Sequence, residues 1–113
     1  MASVEATIQS TLSTAGVPVY LNANRETVKA AQYVTWSMAL MTAEQYGNDL
    51  PLDRGYYIQV NLWSRIEYFA LAAAVRAAME AAGFRLRDER DGPYDLDTNY
   101  YNRVQRYFYL REE

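Results

Sequence analysis

The sequence predicts a single small α+β domain in which a mostly antiparallel sheet of four to five strands carries two main helices on one face. Three observations lead to this prediction. Residues 56–63 alternate between apolar and polar side chains, as a half-buried strand does. Residues 68–82 place apolar side chains at helical spacing, and short apolar runs recur before and after these two segments. The chain has 113 residues and half are hydrophobic, which suits one domain over residues 1–113.

The first helix is predicted over residues 3–15. Val4, Ile8 and Leu12 step by four, so they lie on one side of a helix, and Gly16 follows as a terminating residue. The short apolar run 17–21 comes next and begins with a proline, which favours a strand at the edge of the sheet.

The second helix is predicted over residues 65–82. Ser64 and Glu67 have the spacing of a capping box, and Gly83 supplies the left-handed residue that commonly ends a helix. One face of this helix is rich in small side chains: Ala70, Ala73, Ala74 and Ala77. Such a face lets a second element or another subunit approach closely, although helix propensity alone also explains the alanines.

The remaining strands are predicted at 33–40, 56–63, 84–87 and 103–111. In the strand at 33–40, alternation directs Val34, Trp36, Met38 and Leu40 toward the core. In the last strand, alternation places Val104, Arg106, Phe108 and Leu110 on one face and Arg103, Gln105, Tyr107 and Tyr109 on the other.

Residues 42–55 are predicted to form a projecting loop, because the segment is long and rich in turn residues for a tight hairpin. Long loops in small domains are often functional, and this one mixes leucines with charged residues. We therefore expect a subunit or tail-tube interface here, the alternative being a solvated connection. The predicted interface residues, with two tyrosines from the last strand, are Tyr46, Asn48, Asp49, Leu50, Leu52, Asp53, Arg54, Tyr107 and Tyr109.

The charge pattern argues against a nucleic-acid footprint. The net charge is −3, and the basic residues are ten arginines with a single lysine, Lys29. In the segment 85–91 arginines alternate with acidic residues instead of forming a basic patch. Eleven tyrosines and many arginines are typical of protein interfaces, although tyrosines also pack on sheets.

No catalytic, cofactor or metal site is predicted, and we expect that the protein is not an enzyme. Histidine and cysteine, the commonest bases, nucleophiles and metal ligands, are both absent. The segment 95–99 imitates the start of a calcium loop, but Tyr100 stands where glycine is required and Arg106 where a bidentate glutamate is required. A polar turn explains it. No phosphate-binding motif and no membrane-spanning segment is evident.

Several segments in order resemble one known family. They are Val17-Pro18-Val19-Tyr20, Tyr33-Val34-Thr35-Trp36-Ser37, the strand from Tyr57 to Trp63 with Ser64, the helical Val75-Arg76-Ala77-Ala78-Met79, Gly83-Phe84, and the closing aromatic strand. Together they resemble the tail terminator, or tail completion (head-tail joining), proteins of long-tailed phages and gene transfer agents. The resemblance spans nearly the whole chain and consists of soft patterns of apolar and turn residues.

The resemblance implies a structural virion protein that forms a homo-oligomeric ring, expected to be a hexamer. The ring would cap the completed tail tube, end its polymerisation and give the head connector a docking surface. Its partners would be further copies of itself, the tail tube protein and the head connector or stopper protein. DNA would be present only as passing genome. The protein would lie at the head-tail junction of the virion, and in the host cytoplasm during assembly.

Two alternatives remain open at the level of sequence. One is a neighbouring head-tail connector, either a stopper or an adaptor. The other is a small ligand- or nucleic-acid-binding α+β domain, in which Tyr107, Phe108 and Tyr109 would stack on bases.

Overall fold

The computed structural model describes residues 3–27, 29–47 and 50–112, and for 39–47, 50–54 and 111–112 the description is of the backbone. It contains two helices and five strands. In chain order these are α1 (Val4–Ser13), β1 (Val19–Leu21), β2 (Gln32–Gly47), β3 (Leu50–Ser64), α2 (Phe69–Ala81), β4 (Arg85–Asp91) and β5 (Tyr101–Glu112).

The five strands form one sheet in the order β1-β2-β3-β5-β4. The pairs β2-β3, β3-β5 and β4-β5 are antiparallel, and the short β1 runs parallel to β2. The predicted fold class is therefore confirmed, as is the edge position of the strand that follows Pro18.

Both helices pack against the same face of the sheet, and this layer is the hydrophobic core. Ile8 and Leu12 of α1 and Val75 and Met79 of α2 are fully buried. They meet side chains from the central strands, of which Val60 is fully enclosed. The alternation predicted for the strand at 33–40 is confirmed for its described side chains, because Val34, Trp36 and Met38 all belong to or pack on this core.

The second helix begins four residues later than the sequence predicts. Ser64 is the last residue of β3 and its hydroxyl serves a tight turn, accepting the N–H of Ile66 at 3.1 Å and donating to the Ile66 carbonyl at 2.7 Å. The predicted capping box is therefore wrong. Glu67 instead accepts the N–H of Phe69, the first helical residue. Ser64 is fully buried and already bound locally, so it is not available as a helix cap.

The predicted end of this helix is confirmed. Gly83 has φ +96° and its N–H donates to the Glu80 carbonyl at 3.0 Å, while the N–H of Phe84 donates to the Met79 carbonyl at 2.9 Å. This is the hydrogen-bond pattern of a Schellman motif, whose left-handed residue is normally glycine.

The projecting loop predicted at 42–55 is wrong: almost all of that segment is strand. β2 and β3 stay paired from Thr42↔Gly55 out to Gly47↔Leu50, which leaves only residues 48 and 49 between them. Three irregularities in the register, between residues 38 and 46, absorb unequal numbers of residues on the two strands. The glycines and proline that suggested a loop are thus accommodated within a long, bulged hairpin.

β5 lengthens this hairpin into a three-stranded projection, because its pairing with β3 continues to Asp53↔Glu112. We call residues 38–47, 50–57 and 108–112 the arm. The arm contributes to an elongated molecule of 53 × 25 × 24 Å. The helices cover the other part of the sheet, where the core lies.

Candidate interaction surfaces

The structure brings most of the predicted interface residues together at one end of the molecule, on strands of the arm. The residues concerned are Tyr46 near the end of β2, and Leu50, Leu52, Asp53 and Arg54 at the start of β3. Asn48 and Asp49 lie outside the described residues. The grouping of these residues is as predicted, but their setting is a paired hairpin with a defined register. Their role in contacts between subunits stays a prediction.

One edge of β2 is open along the arm. β1 covers only Val34 to Trp36, where the N–H of Val34 donates to the Pro18 carbonyl and the Trp36 carbonyl accepts the N–H of Asn22. From Ser37 to Gly47, no strand in the described part of the chain pairs with this edge. Such an edge exposes a row of unused backbone donors and acceptors.

The two tyrosines of the last strand are not exposed contact residues. Tyr107 is fully buried in the core, where burial raises its pKa above the ordinary value and its hydroxyl donates to Gln105 Oε1 at 2.5 Å. Tyr109 is partly buried, and its ring stacks on Phe84 at 4.4 Å. Tyr107 is therefore withdrawn as an interface residue. The reason is that α2 covers the Tyr107 face of β5, whereas the sequence left both faces amphipathic.

The same finding weakens a base-stacking role for the aromatic run 107–109. Of the three rings, that of Phe108 lies on the face opposite the core, tilted against Tyr57 at 4.9 Å. Arg87 lies over the Tyr57 ring at 5.4 Å, and Arg106 and Asp88 line the adjacent groove of about 270 Å³. This small groove lies at the base of the arm.

A polar network lies beneath α2 and joins it to the sheet. Glu89 accepts hydrogen bonds from Arg76 at 2.8 Å, from Arg103 at 3.0 Å and from the Gln105 amide at 2.8 Å. Gln105 also donates to the Ala72 carbonyl at 3.1 Å. Burial alone would raise the pKa of Glu89, but the bonds from Gln105 and Arg103 and the two arginine charges outweigh it and lower that pKa. A carboxylate held ionised by saturated bonding has a structural role.

The network continues to the start of α2. Asp91 accepts a hydrogen bond from the Tyr68 hydroxyl at 2.6 Å and pairs with Arg103 at 3.0 Å. The hydrogen bond from Tyr68, followed by that from Arg103, lowers the pKa of Asp91, and the same bond to Asp91 raises the pKa of Tyr68. These contacts hold the turn between β3 and α2 against the end of β4.

Beside that turn lies a second surface, at the end of β3 remote from the arm. Its members are large apolar side chains that solvent reaches: Ile66 (56% exposed), Phe69 (68%), Tyr94 (41%), Leu96 (82%) and Tyr101 (46%). We call these five residues the apolar patch. A groove of about 460 Å³ runs between Arg65 and Tyr101 within it. Contiguous exposed apolar side chains of this size are typical of contact surfaces.

The sequence interpretation missed the apolar patch because it assigned Ile66 and Phe69 to the body of a helix. A signal was present, since neither residue belongs to the apolar stripe of α2, whose buried members are Leu71, Ala72, Val75 and Met79. The alanine face of that helix is exposed as expected: Ala70, Ala73, Ala74 and Ala77.

The acidic segment after β4 is the polar turn that the sequence favoured. Asp95 Oδ1 accepts the N–H of Asp97 at 2.9 Å, and Asn99 adopts φ +62° as the chain reverses. In the part of the chain that the structure describes, no group of three or more acidic side chains is placed to hold a metal ion. The helices described there are too short or too polar to cross a membrane.

Comparison with known proteins finds likeness in structure. No protein-family model matches the sequence, and no similar sequence is found among curated proteins. The fold, however, is similar to that of a chain in a solved structure described as the "Virion of native gene transfer agent (GTA) particle". The two chains are 17% identical, the match covers 98% of this chain and 96% of that one, and the TM-score is 0.59. At this level of identity, the likeness shows a shared fold.

Proposed function

We propose that this protein is a structural component of a phage-like virion. The observation that carries the proposal is the fold likeness to a chain of the gene transfer agent particle, which covers both chains almost completely. Neither chain has a sizeable segment left over in the comparison, so the whole of this chain corresponds to a virion component. The family resemblance in the sequence points to the same kind of particle.

Within that class, the role we propose is that of the tail terminator. In this role, copies of the chain assemble as a ring, with six as the expected number, on the finished tail tube at the head-tail junction. The ring ends tube polymerisation and offers a surface to the head connector. The support is the order of family-like segments from Val17 to the closing strand, together with an arm and an apolar patch at opposite ends of β3.

The proposal assigns the protein no catalytic step. The carboxylates with the most extensive hydrogen bonding, Glu89 and Asp91, have lowered pKa values because arginines and other donors saturate them. General acid catalysis requires a carboxyl group with a raised pKa, so these two groups are better suited to holding α2 on the sheet.

The decisive experiment is deletion of the gene from the element that encodes it, followed by electron microscopy of the particles. We expect over-long tails without heads, because tube growth would lack its stop. Tails of normal length that fail to join heads would instead indicate the neighbouring connector role. Normal joined particles with normal tails would refute both roles. Complementation with the intact gene is the control.

A further inference from the structure

The further inference concerns the partner of the open β2 edge and rests on the proposed virion role. The open part of β2, Ser37 to Gly47, contains no lysine, arginine or proline and only one charged residue, Glu44. Strand edges that stay unpaired are usually protected by lysines, prolines or inward charges. The bulges near residues 39 and 44 give some protection, but pairing with β3 is regular from Leu40 to Ala43. That stretch is suited to receive another strand.

β4 forms the opposite edge of the sheet and has a different character. Within the described residues it pairs only with β5, so its outer edge is also open. Its acidic residues are engaged, Glu89 by Arg76 and Arg103, Asp91 by Arg103, and Asp88 by Arg106 at 3.9 Å.

The arginines of β4 are not engaged in this way. Arg85, Arg87 and Arg90 are exposed, and none forms an ion pair with a described side chain. The edge of β4 therefore presents positive charge that its own chain does not neutralise.

The segment 37–54 has the opposite sign. It contains three acidic residues, Glu44, Asp49 and Asp53, against one basic residue, Arg54, which gives a net charge of −2. Complementary charge of this kind guides two surfaces together and disfavours pairing of two identical acidic edges.

The strand directions also match. β2, β3, β5 and β4 are successively antiparallel, so β4 runs antiparallel to β2 within one copy. If a neighbouring copy keeps the same strand direction, as it does around an axis roughly along the strands, its β4 is antiparallel to β2 of the first copy. Antiparallel pairing can therefore form between them without inverting either subunit.

The register requires a small displacement between the copies. Through Arg106 and Gln59, Asp88 of β4 lies level with Ser37 of β2 in the same copy. β1 blocks the β2 edge up to Trp36, so the neighbour's β4 must move along the strands by two or more residues, about 7 Å at roughly 3.3 Å per residue. Closed sheets accommodate such a stagger by tilting their strands relative to the axis.

We propose that the open β2 edge of one copy takes β4 of a second copy as an added antiparallel strand. The contact joins different edges of identical chains, so it is head-to-tail, and it closes into a ring when the rotation between copies permits. Backbone hydrogen bonds supply affinity, and the arginines of β4 against the acidic arm supply direction.

The absence of cysteine makes a clean cross-linking test possible. Two variants, Thr42→Cys on β2 and Asp88→Cys on β4, are treated with a short bis-maleimide, separately and mixed. The assay uses concentrated protein in which light scattering shows assembly, or intact particles if the isolated chain is monomeric. We expect cross-linked dimer in the mixture at about tenfold the level of either variant alone, because a head-to-tail contact joins unlike edges. Thr14→Cys, exposed after α1, replaces either partner as the control.

Each other outcome overturns the inference. Dimer from Thr42→Cys alone would show that two β2 edges pair with each other. An assembled ring without any cross-link would show that the copies meet through another surface, and the virion role would still stand. That role depends on the deletion experiment, so the two failures are distinguishable.

Charge reversal provides a second test that does not depend on register. The double variant Arg85→Glu, Arg90→Glu should weaken assembly about tenfold or more, and Asp49→Arg, Asp53→Arg in the other copy should restore it. Arg25→Glu, at an exposed arginine outside β4, is the matched control and should assemble normally. Equal loss in the control, or no rescue by the second pair, would overturn the charge argument.

Discussion

Replacing Glu89 with glutamine should destabilise the fold in a way that depends on pH. Glu89 is enclosed, with 11% of its side chain exposed, and it accepts bonds from Arg76, Arg103 and Gln105. In the variant, one oxygen becomes an NH₂ group that faces donors, and two arginines lose their counter-charge. Removing one partner of a fully buried pair costs about 3–5 kcal/mol.

That range must be reduced here because solvent reaches the arginines. Arg76 is 38% exposed and Arg103 is 25% exposed, and exposed ion pairs contribute only about 0–1 kcal/mol. We therefore expect Glu89→Gln to lower the free energy of unfolding by about 2 kcal/mol near pH 7, between these two limits. Equilibrium denaturation in urea, monitored by circular dichroism, measures this difference. Glu80→Gln, an exposed glutamate on α2, is the matched control and should change stability by less than about 0.5 kcal/mol.

The pH dependence tests the cause. The pKa of Glu89 is lowered in the folded state, so its stabilisation is fully present above the unfolded-state pKa and is lost as the pH falls through the folded-state pKa. The wild type and Glu89→Gln should therefore converge in stability when both are unfolded in acid. A difference that stays constant from neutral to acidic pH would refute an electrostatic origin, and no difference at neutral pH would refute the role of the network.

Three other substitutions test the core, the arm and the apolar patch. Val60→Asp should unfold the chain, because it places a charge at a fully buried site, whereas Leu50→Asp should leave the circular dichroism spectrum intact and reduce assembly measured by light scattering; loss of folding in both would contradict the assignment of Leu50 to an interface. Tyr107→Phe should cost about 1–2 kcal/mol in urea unfolding, because Gln105 loses a buried hydrogen-bond donor, and an unchanged midpoint would show that this bond contributes nothing. Leu96→Ser should change the unfolding free energy by less than about 0.5 kcal/mol because Leu96 is 82% exposed, and a larger loss would mean that the patch stabilises the monomer.

Local patterns in the sequence predicted the elements that short-range physics determines. The alternation of the strand at 56–63, the stripe of α2 and the glycine after it all have direct structural counterparts, since each reflects burial or backbone conformation within a few residues. The start of α2 was wrong because Ser64 is fully buried at the end of a strand, where its hydroxyl bonds to Ile66 and cannot cap a helix.

The candidate site was harder to predict because its setting depends on contacts between distant segments. Leu50 and Arg54 lie on a strand because β2 and β5 both pair with β3 there, and no local pattern shows that pairing. Tyr107 and Phe108 are both aromatic, and only the position of α2 decides which of them is buried. The apolar patch likewise exists because the β3-α2 turn and the segment after β4 meet at one end of the sheet.

β3 has a mechanical consequence. It is one unbroken strand of 15 residues that runs from the tip of the arm to the turn beside the apolar patch, with β2 on one side and β5 on the other. A force that draws the arm away from the helices acts along this strand and loads both ladders in shear. Their hydrogen bonds then share the load and must break together, so tension applied at one end reaches the other while the sheet stays intact.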